Sequence, residues 1–124
     1  MGNQPLKGWP RLVAAYHNSC AGFRVVWREE EAFRIELVAF FLSVPAAFWL
    51  GTSIFQAAIL ISATLFIVIV EVLNSAIEAV VDRIGPERHE LSGLAKDLGS
   101  LAVLLACVLA GLLWCAAIYT RLMT

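Results

Sequence analysis

Glu71, Asn74, Ser75, Glu78 and Asp82 recur at spacings of one, three and four directly after residues 54–70, a run that is apolar apart from Gln56, Ser62 and Thr64. Each helical residue advances the side-chain direction by about 100°, so these five side chains fall within an arc of about 100°. One face is therefore acidic and polar while the rest suits lipid. An ionisable group at the bilayer centre costs at least about 2.5 kcal/mol on insertion scales, so three acids on one stripe need a chemical reason. Carboxylates without clustered His or Cys are hard oxygen ligands, suited to Mg²⁺. Glu30 and Glu78 are a pair that such a cation would bridge near one membrane interface. Lys96-Asp97, shortly after Gly93, would offer a cation for phosphate and a carboxylate for ribose or metal. No GxxxxGK[ST], GxGxxG, HRD or DFG run is present, so any ATP site is neither a P-loop nor a protein-kinase cleft. The stripe equally suits a polar seam between subunits, or a proton or cation path. Glu29-Glu30-Glu31 also reads as a solvated helix end, and His89 as an ordinary loop histidine.

The elements that carry these residues follow from composition. Of 124 residues, 60% are hydrophobic and 15% charged, and the mean hydropathy of +0.81 belongs to an integral membrane protein. Three stretches, about 33–50, 54–81 and 98–119, reach the roughly 20 helical residues that cross about 30 Å of hydrocarbon. Residues 1–8, with Gly2, Pro5 and Gly8, read as a loose tail, and no cleaved signal peptide is apparent. From about 9 to 31, apolar Leu12, Val13, Tyr16, Cys20, Phe23 and Trp27 interleave with Arg11, Arg24 and Arg28. That pattern predicts an amphipathic helix on the membrane surface. The expected fold is thus an all-α membrane protein, one domain over 1–124, with a surface helix and three transmembrane helices. Gly51-Thr52-Ser53 and Gly85-Pro86 mark the turns, and the charged stretch from about 82 to 97 is expected as a loop.

Basic residues before and at the start of the first span, including Lys7, Arg11, Arg24, Arg28 and Arg34, put the N-terminus in the cytoplasm. Arg83, Arg88 and Lys96 place the second loop there as well, and the C-terminus then faces outward. Trp49, Trp114 and Tyr119 would form an aromatic belt at the outer interface. Ala102, Ala106, Ala110 and Gly111 would permit close helix packing. Three helices enclose little polar space, so inward-facing acids would most easily be hidden between copies, which predicts a homo-oligomer. Cys20, Cys107 and Cys115 have no metal or redox spacing.

EVLNSAIEAVVDRIG, followed by HELSGLAKDLGS and preceded by NSCAGFRVVWREEEAFRIE, resembles the signature of the prokaryotic diacylglycerol kinase family, over about residues 11–119. The resemblance implies transfer of the ATP γ-phosphoryl group to diacylglycerol, with Mg²⁺, in a homotrimeric helical bundle of the bacterial inner membrane whose active sites lie between subunits. It implies Glu71 as general base, Glu30 and Glu78 as metal ligands, and Asn74 as a polar support of the site. Nucleotide contacts would come from Arg11, Asn18, Glu87, Arg88, His89, Lys96 and Asp97. The lipid side would involve Arg11, Ser19, Arg24, Trp27, Phe33, Glu36, Trp49, Ser100, Trp114 and Tyr119, with Glu71 reaching the acceptor hydroxyl. Undecaprenol is the alternative acceptor within the family, and a small oligomeric transporter using the acidic stripe is the rival from another class. No nucleic-acid partner is expected.

Overall fold

In the computed structural model, which describes residues 4–124, the chain is helical almost throughout: α1 (Trp9–Glu29), α2 (Glu31–Leu50), α3 (Ile54–Ile84) and α4 (Glu90–Met123). Of the expected tail, residues 1–3 lie outside the described residues and 4–7 are not helical. The chain divides into two compact units, residues 1–31 and 32–124.

The first unit is essentially α1. Pro10 stands in its first turn, where a missing N–H costs nothing. The helix ends at Glu29, and Glu30 turns extended while its N–H still bonds the Val26 carbonyl at 2.9 Å. Phe23 and Trp27, one turn apart, stack with ring centroids 6.1 Å apart.

In the second unit, α2, α3 and α4 are long and apolar enough to cross a membrane, which makes this a membrane protein. α3 and α4 form the principal helix pair. The buried residues of α4, Gly99, Ala106, Ala110 and Ala117, are separated by seven, four and seven positions and so share one face. Small side chains on that face let the backbones approach, which is how helices gain van der Waals contact where lipid removes the hydrophobic drive. Two of the small residues expected at the packing face are not on it: Ala102 is exposed, and a side chain at Gly111 would meet nothing within 4 Å. α2 joins at the end near the 51–53 turn, where Ala47, Leu50, Ala57, Leu60 and Ala117 form a cluster. There a Cβ on Gly51 would stand 2.8 Å from the Ala47 carbonyl, so only glycine fits the turn. Ser53 then caps α3, accepting from the Gln56 N–H at 3.0 Å. Midway along, the Ser43 hydroxyl donates to the Phe40 carbonyl at 2.6 Å and lies 2.8 Å from the Thr64 hydroxyl, so neither polar group is stranded.

The stretch expected as a loop from about 82 to 97 is helical on both sides, with only 85–89 outside α3 and α4. Hydropathy marks where hydrocarbon ends. A helix continues past that point because its backbone hydrogen bonds are internal and owe nothing to the solvent around it. His89 starts α4 by accepting the Leu91 N–H on Nδ1 at 3.1 Å.

Candidate functional site

The buried face of α3 is the polar stripe itself. Ala57, Leu60, Ala63 and Val68 lead into Glu71 and Asn74 and end at Val81, so the acidic residues continue the packing face of the helix. Glu71 is only 6% exposed and Asn74 9%, and this burial is achieved within one chain. Gly99, on the small face of α4, packs directly against Asn74. Glu78 is half-buried, and Asp82 is exposed. The stripe thus grades from a dry carboxylate at Glu71 to a solvated one at Asp82, about three turns away on an ideal helix.

Glu36 of α2 lies beside Glu71, close enough for the two carboxyl groups to interact. The Oε2 of Glu36, the Oδ1 of Asn74 and the Oγ of Ser75 are buried without a hydrogen-bond partner. Buried polar groups normally find partners, so their concentration around one stretch of α3 makes this the candidate site. The Asn74 amide nitrogen lies 3.5 Å from Glu78 Oε1. The pairing of Glu36 with Glu71 is not legible in the sequence, where Glu36 stands in the lipid-contact stretch. The signal available was a second lone acid inside an apolar span.

Beyond Glu78 the stripe opens into a cleft of about 480 Å³ at the start of α4, lined among others by Asp82, Glu87, Arg88, His89, Gly93 and Lys96. Lys96 Nζ donates to Asp82 Oδ1 at 2.8 Å, tying α4 to α3. Both side chains are exposed, so solvent screens the pair and an incoming phosphate can compete for the ammonium. Four residues expected to contact nucleotide, Glu87, Arg88, His89 and Lys96, therefore share one cleft. Asp97, exposed on the next position of α4, does not line it. In the first unit, Arg11 and Asn18, seven positions apart on α1, share a groove with Lys7.

Among the described residues no three of His, Cys, Asp and Glu converge as a ligand cage. Mg²⁺ does not require one: it takes one or two carboxylates and keeps water and substrate phosphates for its remaining positions. Glu78 fits that donor set, half-buried and next to the Asn74 amide.

The residues named for the lipid side are dispersed. On α1, Ser19 bonds the Ala15 carbonyl, Trp27 stacks on Phe23, and Arg24 is exposed. In the second unit Phe33 is buried and Ser100 exposed. Trp49 and Tyr119 are exposed, with the Arg121 guanidinium 5.6 Å from the Trp49 ring centroid. The Trp114 Nε1–H donates to the Leu60 carbonyl at 3.2 Å, and its ring packs on the Ala47–Ala117 cluster. A buried indole N–H needs a partner, and this carbonyl provides one.

The prokaryotic diacylglycerol kinase profile matches residues 17–118, which takes in α1 from its middle, both turns and nearly all of α4. The chain belongs to the prokaryotic diacylglycerol kinase family. It is 50% identical over 114 residues to the diacylglycerol kinase of Escherichia coli K12, covering 92% of this chain and 93% of that protein. The diacylglycerol kinases of Pseudomonas aeruginosa and Haemophilus influenzae are 42% and 41% identical to it, over 92% and 86% of this chain and 95% and 91% of theirs. Membership of this family makes the chain a lipid kinase.

Proposed function

We propose that the chain transfers the ATP γ-phosphoryl group to the primary hydroxyl of diacylglycerol at the cytoplasmic face of the bacterial inner membrane, giving phosphatidic acid. The observation that carries this reading is the continuity of the polar face, from buried Glu71 through Asn74 and Glu78 to the Asp82–Lys96 pair in the cleft. It joins a depth where a lipid hydroxyl resides to a mouth open to a water-soluble nucleotide. In this reading Glu71 accepts the hydroxyl proton as the oxygen bonds to the γ-phosphorus and the bond to the bridging oxygen breaks, releasing ADP. The burial of Glu71 keeps bulk water, the competing acceptor, away from the base. Lys96 and the N-terminus of α4 face the phosphates from the cleft. Glu30 and Glu78 are the residues that would hold Mg²⁺, which would supply neutralisation of phosphate charge.

The chain acts as a single domain and as a homotrimer, with α1 as an amphipathic helix on the membrane surface and sites shared between subunits. Support for assembly comes from an apolar groove of about 630 Å³ between α3 and α4, lined by Leu73, Ile77, Val80, Ile84 and Leu91. The test of the activity is label transfer from γ-labelled ATP in mixed micelles that contain diacylglycerol or undecaprenol. Labelled phosphatidic acid is expected. Preferential labelling of undecaprenol would move the acceptor, and no labelling of either lipid would remove the kinase reading.

The charge distribution further predicts a cytoplasmic N-terminus and 85–89 turn, with the C-terminus outside. A reporter fused after Thr124 that is active only in the periplasm would agree. One active only in the cytoplasm would put the cleft on the side without ATP.

A further inference from the structure

The buried face of α4 starts at Gly99, directly opposite Asn74. A Cβ built on Gly99 would collide with Asn74 Oδ1 and stand 3.2 Å from its Cγ, but only 3.8 Å from its Cβ. The carboxamide of Asn74 therefore occupies the space that any other residue at 99 would fill. Held there, it keeps its nitrogen 3.5 Å from Glu78 Oε1 while its own Oδ1 remains buried and unpartnered. This orientation leaves the amide oxygen buried without a partner while its nitrogen reaches Glu78, and the open space at Gly99 is what permits it.

We propose that Gly99 is a positioning residue of the kinase site: the missing side chain at 99 holds the Asn74 amide against Glu78 and thereby sets the carboxylate that meets Mg²⁺-ATP. The proposal rests on the kinase reading of the acidic face, and it assigns to α4 a role in the geometry of a site otherwise carried by α3. The colliding atom is the far end of a side chain. Gly99→Ala can therefore be relieved by rotation of Asn74 into its other helix-compatible rotamer without moving either backbone. The variant then folds with its amide turned away from Glu78.

The test is a double-mutant cycle of Gly99→Ala and Asn74→Ala, read in turnover across a Mg²⁺-ATP titration and, separately, in thermal unfolding in detergent. Alanine at 74 keeps only the Cβ, which an alanine at 99 would meet at an ordinary 3.8 Å. Gly99→Ala alone is expected to lower kcat/KM by up to about 100-fold, the scale of a misplacement near 1 Å, with a raised Mg²⁺ requirement. In the Asn74→Ala background the same change should cost less than about twofold in turnover and should not lower the unfolding temperature further. Multiplying losses, or wild-type kinetics for Gly99→Ala, would overturn the proposal. Should Gly99→Ala fail to assemble, restoration of assembly by Asn74→Ala supports the proposed collision, and no restoration overturns it. Absence of lipid kinase activity in the unaltered protein would defeat the functional reading instead, and the unfolding cycle would still report whether residues 74 and 99 are coupled.

Discussion

Glu71→Gln is expected to lower turnover by about 10²–10⁴-fold while Mg²⁺-ATP binding stays near that of the unaltered protein. Glutamine has the shape of glutamate and fills the same space beside Glu36, so the packing of α2 against α3 is preserved. What the amide loses is the ability to take a proton from the acceptor hydroxyl. Folding is not expected to suffer, because replacing an acid on a membrane-spanning helix with a neutral group lowers the insertion cost. The measurement is steady-state turnover alongside nucleotide affinity, with assembly checked in detergent. Near-normal turnover in a correctly assembled Glu71→Gln protein would remove the base from Glu71.

Glu78→Gln should fail differently. A neutral amide at 78 keeps an oxygen for the Asn74 amide but removes the charge a hard cation needs, so the KM for Mg²⁺-ATP rises and turnover falls together. Added Mg²⁺ restores part of the loss at 78 and none at 71, because mass action can offset weak binding but cannot supply a base. Titrating Mg²⁺ against both variants separates the two roles. Indistinguishable Mg²⁺ dependence would show that the stripe has no such division of labour.

Much of this molecule was legible in the sequence because membrane insertion makes local pattern decisive. Backbone groups in hydrocarbon must bond within their own segment, so long apolar runs become helices and little else. The end of α3 at Ile84 follows from Gly85-Pro86, and the shared face of Glu71, Asn74, Glu78 and Asp82 from the helical period alone. The kinase signature named the family because its acids and polar residues lie close together along the chain. The start of α4 at Glu90 was not legible, since charge reports the solvent boundary, which is not where the helix begins.

Tertiary structure alone decided what faces what. A period of 3.6 tells which residues of α3 share a side, but it is silent on whether that side meets lipid, water or another helix. The small face of α4 meets Asn74 at Gly99, and Glu71 and Asn74 are buried within a single chain. The approach of Glu36 to Glu71, the tie from Lys96 to Asp82 and the hydrogen bond from Trp114 to Leu60 each join positions 14 to 54 residues apart. The fit of Asn74 into the space above Gly99 is of the same kind. Such contacts depend on how far apart two helix axes lie and how they are rotated. The side chains at their interface fix both quantities jointly, so neither helix encodes them alone.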